Sequence, residues 1–141
     1  MVTGFSQLHD DGTGGGFSLS NFKLWPLNNC ESFEKCPTSM WSRKVRRALN
    51  PDGTPQDEGS PGYFATNLST GIRVELTATR RTALHRYTFP ANDSEGYFPA
   101  ILLDLKNDGQ VSGMNCKLSL NPENGRMKGG ARFLSSFGVG T

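Results

Sequence analysis

The residues best suited to chemistry stand at the start of the chain. There Gly4-Phe5-Ser6-Gln7-Leu8-His9-Asp10-Asp11-Gly12-Thr13-Gly14-Gly15-Gly16 sets one imidazole, two carboxylates and two hydroxyls in a glycine-dense stretch. Glycines at four of the five positions 12–16 free the backbone to bring amides and neighbouring side chains close to a ligand. Composition alone favours the plainer reading of a flexible terminal segment. Asp10 and Asp11 could hold a hard cation through oxygen, yet calcium takes roughly six to eight oxygens, so the two are not a metal site by themselves.

The remaining candidates are sparse. His85 lies in Leu84-His85-Arg86-Tyr87-Thr88-Phe89, on the same side as Tyr87 and Phe89, and reads as a hydrogen-bonded core or inter-sheet histidine. Nothing around either histidine resembles a nucleophile elbow or a catalytic cysteine. Cys30, Cys36 and Cys116 do not fall at zinc spacing. Cys30 and Cys36 enclose a loop short enough for a disulfide, while the odd count leaves three reduced thiols as the alternative. Asn67-Leu68-Ser69 and Asn92-Asp93-Ser94 are N-glycosylation acceptor sequences, meaningful only on the secretory path. Arg43-Lys44-Val45-Arg46-Arg47 is the one basic cluster; without an aromatic stacking platform it reads as a solvated strand face.

These residues must be positioned by a chain of 141 residues, enough for one domain with its own core over 1–141. Only 35% of it is apolar, against 17 Gly and 8 Pro, so turns and loops take a large share. A net charge of +2 provides no global field for a polyanion, and no nucleic-acid partner is expected. No stretch approaches the roughly 18 to 20 apolar residues of a membrane span, so no membrane partner is expected either, and the start lacks the signal-peptide pattern.

Residues 1–41 show no sustained period and read as an ordered loop, with Phe22, Trp25 and Trp41 expected to be packed. A short strand is expected within Trp41–Leu49, then a turn through Asn50-Pro51-Asp52-Gly53-Thr54-Pro55. Ile72, Val74, Leu76 and Ala78 alternate with Arg73, Glu75, Thr77 and Thr79, the period of a strand with one face buried. Tyr63–Leu68 before it and Ala83–Phe89 after it read as antiparallel neighbours. Further strands are expected at Pro99–Lys106, Val111–Leu120 and 126–134. The series predicts an all-β antiparallel sandwich or barrel behind a long loop-rich N-terminal segment.

The ordered motifs Gly4-Phe5-Ser6-x-x-His9-x-x-Gly12-Thr13-Gly14-Gly15, Asn21-Phe22-x-Leu24-Trp25-Pro26 and Pro61-Gly62-Tyr63-Phe64 resemble the N-terminal domain of family 92 glycoside hydrolases. Ile72–Thr79, Thr82–Pro90 and the end, Gly125-Arg126 through Ser136-Phe137-Gly138-Val139-Gly140-Thr141, extend the match over nearly the whole chain. The order of the residues thus reverses the reading from composition. The resemblance implies a β-sandwich that packs on a C-terminal (α/α)₆ barrel in a calcium-dependent, inverting exo-α-mannosidase. The active site would lie in the crevice between them, with an α-mannoside glycan as substrate. It implies that Phe5, Ser6, His9, Asp10, Gly12, Thr13 and Gly14 line the sugar side of the crevice. The two catalytic carboxylates, roughly 6.5 to 9.5 Å apart in an inverting enzyme, and most calcium contacts would come from the barrel.

Under that resemblance the 141 residues read as an incomplete sandwich, a fragment inactive alone and binding no calcium of its own. The resemblance also favours the Cys30–Cys36 disulfide, seen in fungal members, and a secreted parent enzyme. Asp11 departs from it, standing where many members carry Ser. A stand-alone carbohydrate-binding module is the alternative.

Overall fold

A computed structural model describes residues 1–6, 22–91, 96–105 and 113–133. Eight strands and one helical turn make it an all-β structure: β1 (Lys23–Cys30), α1 (Met40–Arg43), β2 (Asp57–Ser60), β3 (Tyr63–Asn67), β4 (Arg73–Ala78), β5 (Ala83–Thr88), β6 (Phe98–Asp104), β7 (Gly113–Asn121) and β8 (Arg126–Phe133). Every strand pairing is antiparallel, in three sheets ordered β1-β6, β2-β3-β4-β5 and β7-β8.

The alternation at 72–78 dictates the central sheet. Ile72 and Val74 are buried and Leu76 half-buried, and the pattern fades to an exposed Ala78 at the strand's end. In β5, His85 and Tyr87 take the inner side while Leu84, Arg86 and Thr88 face solvent. The four-stranded sheet meets the β1–β6 pair across one core. Phe5, Trp25, Leu27 and Cys30 contribute from one side, and Leu68, Ile72 and Val74 from the other. Phe98, Ala100 and Leu102 of β6 pack against the cluster, two residues apart as strand geometry requires. This is the sandwich that the sequence predicts.

Four features differ from the sequence reading, each for a physical reason. Residues 23–30, expected as loop, form β1. The run is buried at Lys23, Trp25, Pro26, Leu27 and Cys30, so no clean alternation marks it. Its proline is tolerated because Leu24 turns its N–H toward Phe5, and Pro26, two residues on, turns its nitrogen to that same side, away from β6. The strand expected at 41–49 is instead a helical turn, started by Ser39, whose Oγ accepts from Ser42 N at 3.1 Å. After it come only isolated bridges at Val45, Arg47 and Leu49.

Trp41 is not packed: it is 75% exposed, with Lys44 Nζ 5.0 Å from its ring centre. Phe22 is exposed as well, at a positive φ of 58°. Trp25 alone of the three is buried as expected. The basic cluster is not wholly a solvated face either, because Arg43 is buried. Its guanidinium pairs with Asp104 and donates to Thr3 O (2.8 Å) and Thr38 O (3.1 Å). A buried cation is tolerated only when paired and hydrogen-bonded in this way.

The hairpin of β7 and β8 stands apart from this core. All of residues 115–130 are exposed, including Leu118, Leu120 and Met127. A bulge between Met114 and Lys117 holds Asn115 at φ 53°, a left-handed conformation that asparagine accepts more readily than most residues.

Candidate functional site

The stem of the opening loop is built into the core. Phe5 exchanges two backbone hydrogen bonds with Leu24, Phe5 N to Leu24 O at 3.0 Å and Leu24 N to Phe5 O at 2.9 Å. Its ring stacks on Trp25 with centroids 5.5 Å apart. Gly4 is required beside it, because a Cβ there would stand 2.7 Å from Lys23 Cδ and 2.8 Å from Lys23 Cβ. Phe5 is therefore a core anchor whose buried ring fixes where the loop departs. His9, Asp10, Gly12, Thr13 and Gly14 lie outside the described residues, as does Asn92.

Ser6, the first residue beyond the anchor, opens onto a recess of about 310 Å³ lined by Ser6, Ser60, Gly62, Tyr63, Phe64, Leu76, Thr77 and Ala78. The recess is shaped by the two-residue turn Pro61-Gly62 joining β2 to β3, where Ser60 pairs with Tyr63. Proline presets the first turn position and Gly62, at φ +79°, supplies the left-handed second. Gly62 O is held by Thr77 Oγ1 (2.8 Å) and Ala78 N (3.2 Å), tying the turn to the end of β4. Sequence reasoning singled out Ser6 but missed Ser60, Tyr63 and Thr77. The Pro-Gly pair was the available signal, marking a turn without saying which distant segment it would face.

Behind Tyr63 the outer face of the sheet carries a charge network. Arg86 clamps Glu75 with two bonds of 2.6 Å, Tyr63 Oη donates to Glu75 Oε1 at 3.0 Å, and Arg73 reaches Glu58 at 2.9 Å. The Arg86 hydrogen bonds lead in holding the Glu75 carboxyl down to about 2, with smaller help from Tyr63 and Arg73. Asp57 pairs with Arg47 and Asp104 with Arg43. These carboxylates are engaged in structural pairs, and none lines the recess. Among the described residues no three His, Cys, Asp or Glu side chains gather where a metal could sit.

The other sequence candidates are placed as follows. His85 Nδ1 and Tyr87 Oη are 2.8 Å apart, and burial lowers the imidazole pKa and raises that of the phenol. Cys30 and Cys36 form a disulfide at the end of β1, while Cys116 is a free, exposed thiol. The loop they close carries Phe33, whose ring meets Phe98 edge-on at 5.4 Å. Asn67 is half-buried at the end of β3, its Nδ2 donating to Gln56 Oε1 at 3.0 Å. A glycan attached there would have to displace that bond. No helix among the described residues is long and apolar enough to cross a membrane.

The chain matches one protein family over residues 1–141, that of the glycosyl hydrolase family 92 N-terminal domain. It is 41% identical over 143 residues to a protein of Arthroderma benhamiae described as an "uncharacterized secreted glycosidase". The alignment covers 99% of this chain and 18% of that relative, so the chain spans less than a fifth of the relative's length. No solved structure matches it.

Proposed function

Because the chain belongs to the family of glycosyl hydrolase family 92 N-terminal domains, we propose that it supplies the sugar-binding side of an α-mannosidase active site. The enzyme it serves is an inverting, calcium-dependent glycoside hydrolase acting on α-mannosides such as N-glycan or mannoprotein chains. The observation that carries this reading is the family match over residues 1–141. The anchored stem at Phe5 supports it, since that stem delivers the polar opening loop from a fixed point of the core beside an uncharged recess.

The division of labour follows from the chemistry. Inversion needs one protonated carboxyl at the leaving oxygen and one carboxylate activating water across the sugar ring. Asp57, Glu58, Glu75 and Asp104 are each paired with an arginine, and the Arg86 hydrogen bonds hold the Glu75 carboxyl well below the usual carboxylate range, away from the protonated state that a general acid requires. On this reading the acid, the base and the calcium ligands come from the (α/α)₆ barrel of the same enzyme. Calcium would polarise the sugar's hydroxyls there. The present chain contributes binding and orientation through Ser6, His9, Asp10, Thr13 and the close approach allowed at Gly12 and Gly14.

A secreted parent enzyme fits the Cys30–Cys36 disulfide, a bond that persists in oxidising compartments, and the description of the Arthroderma relative as secreted. The test uses that relative as the full-length enzyme with methyl α-mannoside, following the anomeric protons by NMR. β-Mannose as first product and loss of activity on calcium chelation are expected. Retention of configuration, or full activity without calcium, would refute the mechanism proposed.

A further inference from the structure

The hairpin of β7 and β8 has no part in the roles assigned above, yet its register sorts its side chains sharply by face. Residues opposite one another on antiparallel strands share a face, so the pairs Leu118↔Gly129 and Leu120↔Met127 put Leu118, Leu120 and Met127 together on one side. The pairs Lys117↔Gly130, Ser119↔Lys128 and Asn121↔Arg126 put the cations Lys117, Lys128 and Arg126 on the other. This is the alternation of a sheet with one buried face, yet Leu118, Leu120 and Met127 are 56%, 65% and 45% exposed. We infer that the face of Leu118, Leu120 and Met127 is a docking surface for an apolar segment of the parent enzyme's own polypeptide, outside these 141 residues. The inference rests on the reading of this chain as one part of a longer glycosidase, and not on which glycoside that enzyme cleaves.

The hairpin's stability calls for a cover. Two strands alone are at best marginally stable in water and need a further strand or a packed layer on the apolar side, but every residue from 115 to 130 is exposed. The cationic face is the one left wet, because burying unpaired charge is costly. Gly129 shapes the apolar face: a Cβ there would stand 3.2 Å from Leu118 Cδ1, so the leucine lies across the glycine and the surface is low in relief.

The patch size selects the occupant. A stable interface between separate proteins takes about 800 Å² from each partner, far more than three side chains offer. A covalently linked segment is held at high effective concentration, so a small patch suffices as one part of a larger seam. The Arthroderma relative has the chain to supply it, since the alignment covers only 18% of that protein.

Hydrogen exchange read by mass spectrometry tests the surface in the full-length relative, at the peptides aligned with β7–β8 and, as internal reference, with β4. The hairpin peptide should exchange about as slowly as the β4 peptide there, and at least about tenfold faster than β4 in the 141-residue protein. A fast hairpin beside a slow β4 in the relative would overturn the docking surface. Protection of the hairpin already in the 141-residue protein would overturn it too, because the chain would then cover that face itself or pair with a second copy.

The face is tested in the relative carrying this chain in place of its matching segment. There Leu118→Ser should speed hairpin exchange at least about fivefold, and Lys128→Ser, on the opposite face, less than about twofold. Equal effects would overturn the assignment of the face. If the exchanged enzyme does not fold, the residues of the relative aligned with Leu118 and Lys128 are changed to serine instead. A protected hairpin in a relative inactive on mannosides would sink the mannosidase reading alone; a fast hairpin in an active one would sink the docking surface alone.

Discussion

Glu75 shows how a single residue's environment sets a measurable property. Its carboxyl is held at about 2, against an ordinary 4.5, chiefly by the two Arg86 hydrogen bonds. A carboxyl depressed in the folded state contributes stability that is present above pH 4.5 and lost as pH falls toward 2. Urea midpoints measured between pH 5 and pH 2.5 should therefore fall, and Glu75→Gln should flatten part of that decline. Asp52, lowered by its bonds from Thr54, accounts for some of the remainder. His85 acts in a separate window, because burial depresses its pKa and stability is lost as pH falls below its ordinary value. Arg43 is a different case. Arg43→Met removes the charge facing Asp104 and should cost about 3 kcal/mol or more in denaturant unfolding. Adding Asp104→Leu should recover part of that loss, whereas simple additivity of the two substitutions would contradict the pairing. Sequence alone could not show this role: Asp104 lies 61 residues away, and Arg43 looked like one of five residues in a basic run.

At the scale of elements, the sequence was most legible where one face is buried and the other wet. Strands β3, β4 and β5 meet that condition and lie close to where alternation placed them. β1 does not, because it is buried on both faces around Pro26, and β2 is exposed at all four positions, so neither carries a periodic signal. The recess was illegible for a related reason, being assembled from Ser6 and a turn whose mutual approach is a tertiary fact. Val74→Ala, in the fully buried middle of β4, should cost about 1–3 kcal/mol by losing methyl groups from the core. Leu118→Ser, in the exposed β7–β8 hairpin, should stay within about 0.5 kcal/mol. A large loss from Leu118→Ser would mean that the hairpin is covered in solution. The Cys30–Cys36 bridge ties the end of β1 to the loop carrying Phe33. Replacing both cysteines with alanine should cost about 2 kcal/mol or more, read as a lowered melting temperature.

For the whole molecule, the proposed function assigns this chain to sugar binding and the bond breaking to another part of the enzyme. The described structure provides a stem anchored in the core, an uncharged recess beside it and carboxylates paired with arginines. The sequence carried the family through the order of its motifs, and the chain matches that family over its length. What the motifs could not reveal was that Phe5 is an anchor in the core and not a surface contact. The most direct test is hydrolysis of an α-mannoside, with calcium, by two proteins: the purified 141-residue chain, and the Arthroderma relative with its matching segment exchanged for this chain. The account predicts no turnover by the chain alone and turnover by the exchanged enzyme within about tenfold of its parent. Turnover by the chain alone, or a folded exchanged enzyme that binds mannoside normally yet falls far below its parent for want of an acid or base, would contradict the placement of catalysis outside this segment.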